Sequence, residues 1–251
     1  MPPMPDPRWL ILHLEAPLLA FGGVTIDHVG VTRDFPAASM LTGLLANAMG
    51  WRRTEGDKHQ RLQDRLIFAA RREWDGGTGI LTDTQNAQLA KIDRGWTSWG
   101  EPEGRNGASY GAPHRRRRDY HPDACVVVAL RFGLPDDPDL DLDRLAAFMD
   151  RPLRPLFIGR KSCLPSAPVR RMRDFVVAPT AYQALRQVPP LPDVSAGAAL
   201  RAIWPTGEGP IEGAEVHRIL DLPDLRNWRT GLHGGTRQIV EGVVVPQEVA
   251  A

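Results

Sequence analysis

The chain has 251 residues, of which 42% are hydrophobic and 24% charged, with a formal net charge of +1. These values fit a globular protein able to bury a core, as one large domain or two small ones joined tightly. They exclude a globally basic nucleic-acid binder, so any phosphate-binding surface must be a local patch. The two cysteines, Cys125 and Cys163, are far apart, which argues against a disulfide framework and a cysteine-built zinc site. No secretory leader pattern and no apolar run of membrane-spanning length appears, so a cytoplasmic location is expected.

The first element is a strand at Trp9–Leu14, with Leu10, Leu12 and Leu14 on one face and Trp9, Ile11 and His13 on the other. A glycine-containing loop follows, through Gly22-Gly23 and Arg33-Asp34 to Phe35-Pro36. Ser39 is placed to cap a helix whose Met40, Leu41, Leu44, Leu45, Ala48 and Met49 recur at the helical period until Gly50 stops it. Gln60–Arg65 reads as another helical turn and Leu66–Trp74 as a strand. From Gly76 to His121 no core periodicity survives. A stretch of that kind in a compact domain is usually functional, and an extended β-hairpin arm would account for it.

Ala124–Phe132 returns to a buried strand containing Cys125. Asp141 then caps a short helix that presents Leu142, Leu145, Ala146 and Met149 and ends at Pro152. Leu156–Ile158 opens into Gly159-Arg160-Lys161-Ser162-Cys163, Val188–Pro192 reads as a stiff linker, and two last strands fall near Val216–Leu222 and Gln238–Val245. The alternation strand, helix, strand, strand, helix fits an α+β protein with a ferredoxin-like unit.

Two segments carry candidate chemistry. Arg115, Arg116, Arg117 and Arg118 are consecutive, followed by Asp119, Tyr120 and His121. Adjacent guanidiniums repel, so the run either stays solvated or meets an anion. Arginine forks suit phosphate oxygens, and Tyr120 is of a type that stacks on bases. The second segment is Gly159-Arg160-Lys161-Ser162. There a glycine permits close backbone approach, and two cations and a hydroxyl complete a phosphate site or, equally, a basic turn. It is not a Walker A loop, which needs Gly directly before Lys. His114 and His121 flank the arginine run at a spacing where acid and base could act on an RNA 2′-hydroxyl. The seven histidines show no metal-ligand spacing and the carboxylates no two-metal pattern, so no metal or other cofactor is expected.

Three segments together resemble the CasD family, the type I-E CRISPR Cascade subunit of the repeat-associated mysterious protein superfamily. They are Leu14–Gly22 with Arg33-Asp34-Phe35-Pro36, the helix from Ser39 to Trp51, and Pro155–Cys163. Arg118-Asp119-Tyr120 entering the next strand and Leu81–Gln85 fit the same pattern. The resemblance covers about Arg8 to Val169 and implies a ferredoxin-like (RNA-recognition-like) domain over residues 1–155, a β-hairpin thumb at about 79–117, and a smaller β-rich portion over 156–251. It further implies a non-catalytic subunit, one copy per complex, that caps the 5′ handle of the crRNA. The implied protein partners are the CasC backbone and CasA large subunits, with target DNA near the PAM as a further contact. Carried over by position, the handle-contacting residues are Arg33, Ser39, Arg118, Tyr120, Gly159, Arg160, Lys161 and Ser162, with Arg115, Arg116 and Arg117 added from their charge. A rival expectation comes from the type I-C branch, whose equivalent subunit is a metal-independent endoribonuclease using tyrosine, lysine and histidine; here these would be Tyr120, Lys161 and His121. A free-standing RNA-binding module is a third.

Overall fold

The computed structural model describes residues 5–74, 76–77, 79–87, 95–96, 102–103, 113–133, 137, 140–192, 194–195 and 197–247. In chain order the elements are β1 (Arg8–Leu19), β2 (Thr25–Ile26), β3 (Val29–Gly30), α1 (Ala38–Ala48), α2 (Gly56–Arg65), β4 (Leu66–Trp74), β5 (Leu81–Ala87), β6 (Gly95–Trp96), β7 (Pro102–Glu103) and β8 (His114–Phe132). There follow α3 (Leu142–Asp150), β9 (Val176–Val177), α4 (Ala181–Gln187), β10 (Leu200–Pro205), β11 (Val216–Leu222) and β12 (Arg237–Val244). The fold is mixed α+β, built on one large sheet in the order β11-β12-β10-β4-β8-β1-β9. Neighbours along that path are antiparallel. The C-terminal strands therefore extend the same sheet from the β4 edge.

Strand β8 changes character along its length, and its sequence says why. Ala124–Phe132 is apolar on both faces and lies between β1 and β4. A strand covered on both sides has no reason to alternate. His114–Tyr120 is polar on both faces and instead forms a ladder with β5 on one side, while β3 pairs in parallel with Arg117 and Arg118 on the other. The arginine run is thus strand and not irregular loop, and β5 with β8 forms the base of a hairpin. The remainder of the expected thumb, 88–94, 97–101 and 104–112, lies outside the described residues.

Two hydrophobic layers cover the sheet. Leu10, Leu12 and Leu14 pack with α1 and with Leu62 of α2 and Leu145 of α3. Trp9 and Ile11 pack on the opposite face with Ala181, Ala184 and Leu185 of α4 and with Trp204 of β10. The alternation read along β1 is therefore the division between the layers, and β1 continues past the predicted end through Pro17 to Leu19. Helix α4 and strands β2, β3, β9 and β10 were not expected from the sequence, and α2 starts earlier, at Gly56. Cys125 and Cys163 are both buried free thiols.

His13 is buried on this sheet, and its Nδ1 has no hydrogen-bond partner. Burial, assisted by the charges of Arg171 and Arg71, pushes its pKa down to about 4. An unfolded histidine takes up its proton near pH 6.5. Between those values the unfolded chain binds the extra proton, so stability falls as the pH falls, by on the order of 3 kcal/mol in all. His13→Leu removes this contribution. Thermal melting of both proteins from pH 7 to pH 4.5 is expected to give a visibly flatter acid arm for the variant.

The expected linker after α4 is instead anchored. Arg71 and Glu73, two apart on β4, face the same way and form a fully buried ion pair, Nε to Oε1 at 2.7 Å. The Arg71 guanidinium also donates to the carbonyls of Leu185, Val188 (2.9 Å) and Pro189 (3.3 Å), while Glu73 accepts from the Leu191 amide at 3.2 Å. The Leu185 and Val188 carbonyls are among those left without intrahelical donors at the C-terminus of α4, and Pro189 follows its C-cap.

The start of α1 corrects an expectation. The N-cap position is Ala37, with no capping side chain of its own, and Ser39 sits in the first turn. Asp224 does the work instead. Its carboxylate accepts from the Ala38 amide at 2.9 Å and its carbonyl from the Ser39 amide at 3.1 Å. Arg237 holds that carboxylate through three contacts of 2.9–3.0 Å, stacked 4.2 Å above Phe68. Asp141, by contrast, caps α3 as predicted, accepting from the Asp143 amide.

Candidate nucleic-acid interface

The Gly159–Ser162 loop is a tight turn closed by the Ile158 amide on the Cys163 carbonyl and the Cys163 amide on the Arg160 carbonyl, both 2.8 Å. Gly159 has φ +86°, and a β-carbon there would lie 1.7 Å from the Ala20 carbonyl oxygen. Its close approach is therefore to the protein's own backbone at the end of β1, where the Ala20 amide donates to Ile158.

Arg160 is committed inward. It donates to the carbonyls of Asp119 (2.8 Å), Gly30 (2.8 Å) and Val31 (3.2 Å), with its guanidinium 4.8 Å over the Tyr120 ring. Arg118 likewise donates to the His28 carbonyl at 3.2 Å and to its neighbour Arg117 at 2.9 Å. A β-carbon on Gly30 would meet both arginines, at 2.9 Å from Arg118 and 3.1 Å from Arg160. Together Arg118, Arg160 and Gly30 join β3, β8 and the 159–162 turn. Tyr120, only 5% exposed, packs in the core beneath Arg160 and offers no open face for a base.

Lys161 and Ser162 project from the same turn into solvent. Lys161 makes no hydrogen bond or ion pair among the described residues. The side chains of Arg115, Arg116 and Arg117 are also exposed, with no hydrogen bond or ion pair among the described residues, although the charge of Arg116 reaches the Asp27 carboxylate, and strand periodicity puts 115 and 117 on one face and 116 on the other. Arg33 is tied by its guanidinium to the Pro223 carbonyl at 2.7 Å.

His121 is buried between two fixed partners. Its Nδ1 lies 2.9 Å from an Arg72 guanidinium nitrogen and its Nε2 2.8 Å from the Arg33 carbonyl. Arginine only donates and a carbonyl only accepts, so in this arrangement Nδ1 accepts and Nε2 donates. His114 belongs to β8, but its side chain lies outside the described residues. No cluster of three or more His, Cys, Asp or Glu among the described residues is arranged to hold a metal.

The structure brings Ser39 and Gly159 together. With Gly22 and Gly23 they line a groove of about 260 Å³ along the exposed face of α1, closed on its far side by Arg226, Trp228 and His233. Sequence reasoning missed that far wall. Its residues come from the connection between β11 and β12, and neither periodicity nor charge density marks them. Among the described residues, no carboxylate lines this groove.

The family model for CRISPR-associated protein (Cas_Cas5) matches residues 9–240. The chain belongs to the Cas5 family. Among curated relatives, the CRISPR system Cascade subunit CasD of Escherichia coli (strain K12) is 27% identical over 161 residues, covering 64% of this chain and 69% of that one. Among solved structures, a chain of a CRISPR RNA-guided surveillance complex superposes with a TM-score of 0.65 at 23% identity, covering 96% of this chain and 94% of that one. A second, described as the crystal structure of a Cas protein, gives 0.59 at 24% identity, with 96% and 98% covered. The β1 strand from Trp9 onward, the α1 face and the Gly159 turn all fall within the matched residues.

Proposed function

We propose that this chain is a non-catalytic subunit of a type I-E CRISPR RNA-guided surveillance complex and that it grips the 5′ handle of the guide RNA. The observation that carries the reading is the α1 groove, where Gly22, Ser39 and Gly159 meet beside Arg226 with no carboxylate among the lining residues. Phosphates of a single strand following this groove would be met by solvent-facing Lys161 and by the free arginines 115–117. Splayed bases would lie against the aromatic wall. Arg118, Arg160, Gly159 and Tyr120 act in this reading as the frame that fixes the grip, with Arg33 and Ser39 at its edges. The order β4-β8-β1-β9, all antiparallel with helices between β1 and β4 and between β8 and β9, supports a ferredoxin-like unit in the first part of the chain. The β5–β8 hairpin supports a thumb directed at a CasC-type backbone subunit, leaving other surfaces for a CasA-type large subunit.

Guide cleavage by Tyr120, His121 and Lys161 fits less well, because two of the three are buried and His121 is held by Arg72 and the Arg33 carbonyl. One experiment addresses both readings: the full-length chain is titrated into labelled repeat RNA in EDTA, and binding and cleavage are followed together. Binding without cleavage is expected, weakened about tenfold by Lys161→Glu and weakening further with added salt as counterions are released. Site-specific cleavage lost in His121→Ala would overturn the non-catalytic reading.

A further inference from the structure

Beyond Gly43 the groove does not end. It opens into a larger cavity of about 630 Å³ that runs along α1 toward Trp51. Among the described residues, four arginines line this cavity and no carboxylate does. Two of the four are spoken for. Arg154 donates to the Gly50 and Trp51 carbonyls at 2.8 and 2.9 Å, and Arg229 pairs with Asp57 at 2.6 Å. The other two, Arg53 and Arg226, have no anionic partner among the described residues, although the Arg226 guanidinium lies 5.2 Å from the centre of the Trp228 ring. The Arg226 guanidinium carries a buried Nε without an acceptor. Burial first, and then the charge of Arg53, makes Arg226 easier to deprotonate than an ordinary arginine. A partly desolvated guanidinium that feels a second like charge is destabilised when alone and is stabilised once an anion sits between the two.

The cavity's apolar side is aromatic. His59 stacks on Trp228 at 4.8 Å and meets Trp51 edge-on at 5.7 Å, while Trp228 is pinned by its indole N–H to Gln63 at 3.0 Å. The floor is Gly43, a poor helix former in the middle of α1. The nearest atom to a β-carbon there would be Trp228 Cη2 at 3.8 Å, so packing does not demand a glycine. What its bareness provides is the passage between the two parts of the groove, both of which it lines.

We infer that this cavity holds one further nucleotide of the single strand that enters beside Ser39 and Gly159, with its phosphate between Arg53 and Arg226 and its base in the space over Gly43 against Trp228. The inference rests on the guide-binding reading above; it shares Arg226 and Trp228 with that reading and places a separable binding step on Arg53 and Gly43, which that reading does not use.

The test is a series of single-stranded RNAs of the repeat sequence, shortened one nucleotide at a time from either end and titrated into the full-length chain. One shortening step is expected to cost the unmodified protein about tenfold in affinity. That step should vanish in Arg53→Glu, in Arg226→Gln and in Gly43→Leu, which fills the passage. Lys161→Glu should weaken every length and leave the step in place. Losing the Arg226 contact should also lower the slope of log affinity against log salt by about 0.7 for the phosphate released. Arg53 is exposed and has no partner among the described residues, so its variant keeps the test valid if the others unfold. The inference is overturned if the three variants bind every length as the unmodified protein does, or lose the same factor at every length. A step that vanishes in the three variants while Lys161→Glu is silent would remove the Lys161 clamp and keep this site. A chain that binds no RNA of any length would remove both.

Discussion

Arg71→Met is expected to lower stability by about 4 kcal/mol, because it strands Glu73 as an unpaired buried charge. In a chain of this size that corresponds to a fall in melting temperature of about 8–16 °C. The loss has two parts, and a second variant separates them. Arg71→Met combined with Glu73→Leu removes the stranded charge, and buried ion pairs replaced by apolar residues are often neutral on balance. The carbonyls of Leu185, Val188 and Pro189 would still lose their donor, and a buried unsatisfied carbonyl carries a penalty of about 1–3 kcal/mol. The double variant should therefore recover only part of the stability. Full recovery in a melt would show that Arg71 serves Glu73 alone and does not brace the end of α4.

The second large effect falls on Gly159→Ala. The added carbon collides with the Ala20 carbonyl oxygen, and alanine is poorly suited to φ +86°. The strain alone is about 1–3 kcal/mol, and the collision can be relieved only by lifting the turn from the end of β1. That movement would break the Ala20–Ile158 hydrogen bond and carry Arg160 away from the three carbonyls it holds. RNA affinity is expected to drop more than tenfold, with a lower melting temperature. Lys161→Glu should reduce affinity and leave melting unchanged. Equal melting curves for Gly159→Ala and the unmodified chain would show that the turn adapts without strain.

The parts of the fold that were legible in the sequence are those with a strong period and two covered faces. Leu10, Leu12 and Leu14, the apolar face of α1, and Ala124–Phe132 each declare their surroundings locally. Helix α4 is only seven residues long, too short for a period to show, and its C-terminus is completed by a β4 arginine that no local pattern links to it. β10 was hidden because Arg201 interrupts it, and that side chain is exposed and paired with Asp34 and Glu241.

The site divided in the same way. Position and residue type located the Gly159 turn and the arginine run, but not which cations stay free. Arg160 and Lys161 are neighbours of similar charge, yet one is spent on three backbone carbonyls and the other faces solvent. Their difference comes from β3 arriving beside β8, a contact made over roughly 130 residues. Ser39 was found for its place and misjudged for its task, since the cap on α1 comes from Asp224.

That remote cap bears on how the protein is made. The Asp224 carboxylate and the amide it satisfies are 186 residues apart. At elongation rates of about 5–20 residues per second, the start of α1 is synthesised roughly 10–40 s before its partner. Throughout that interval the helix end is unfinished, the β4 edge awaits β10, and the wall carrying Arg226 and Trp228 does not yet exist. The groove is thus among the last features that synthesis can complete, and a nascent chain has no competent grip to offer a guide until translation is nearly over.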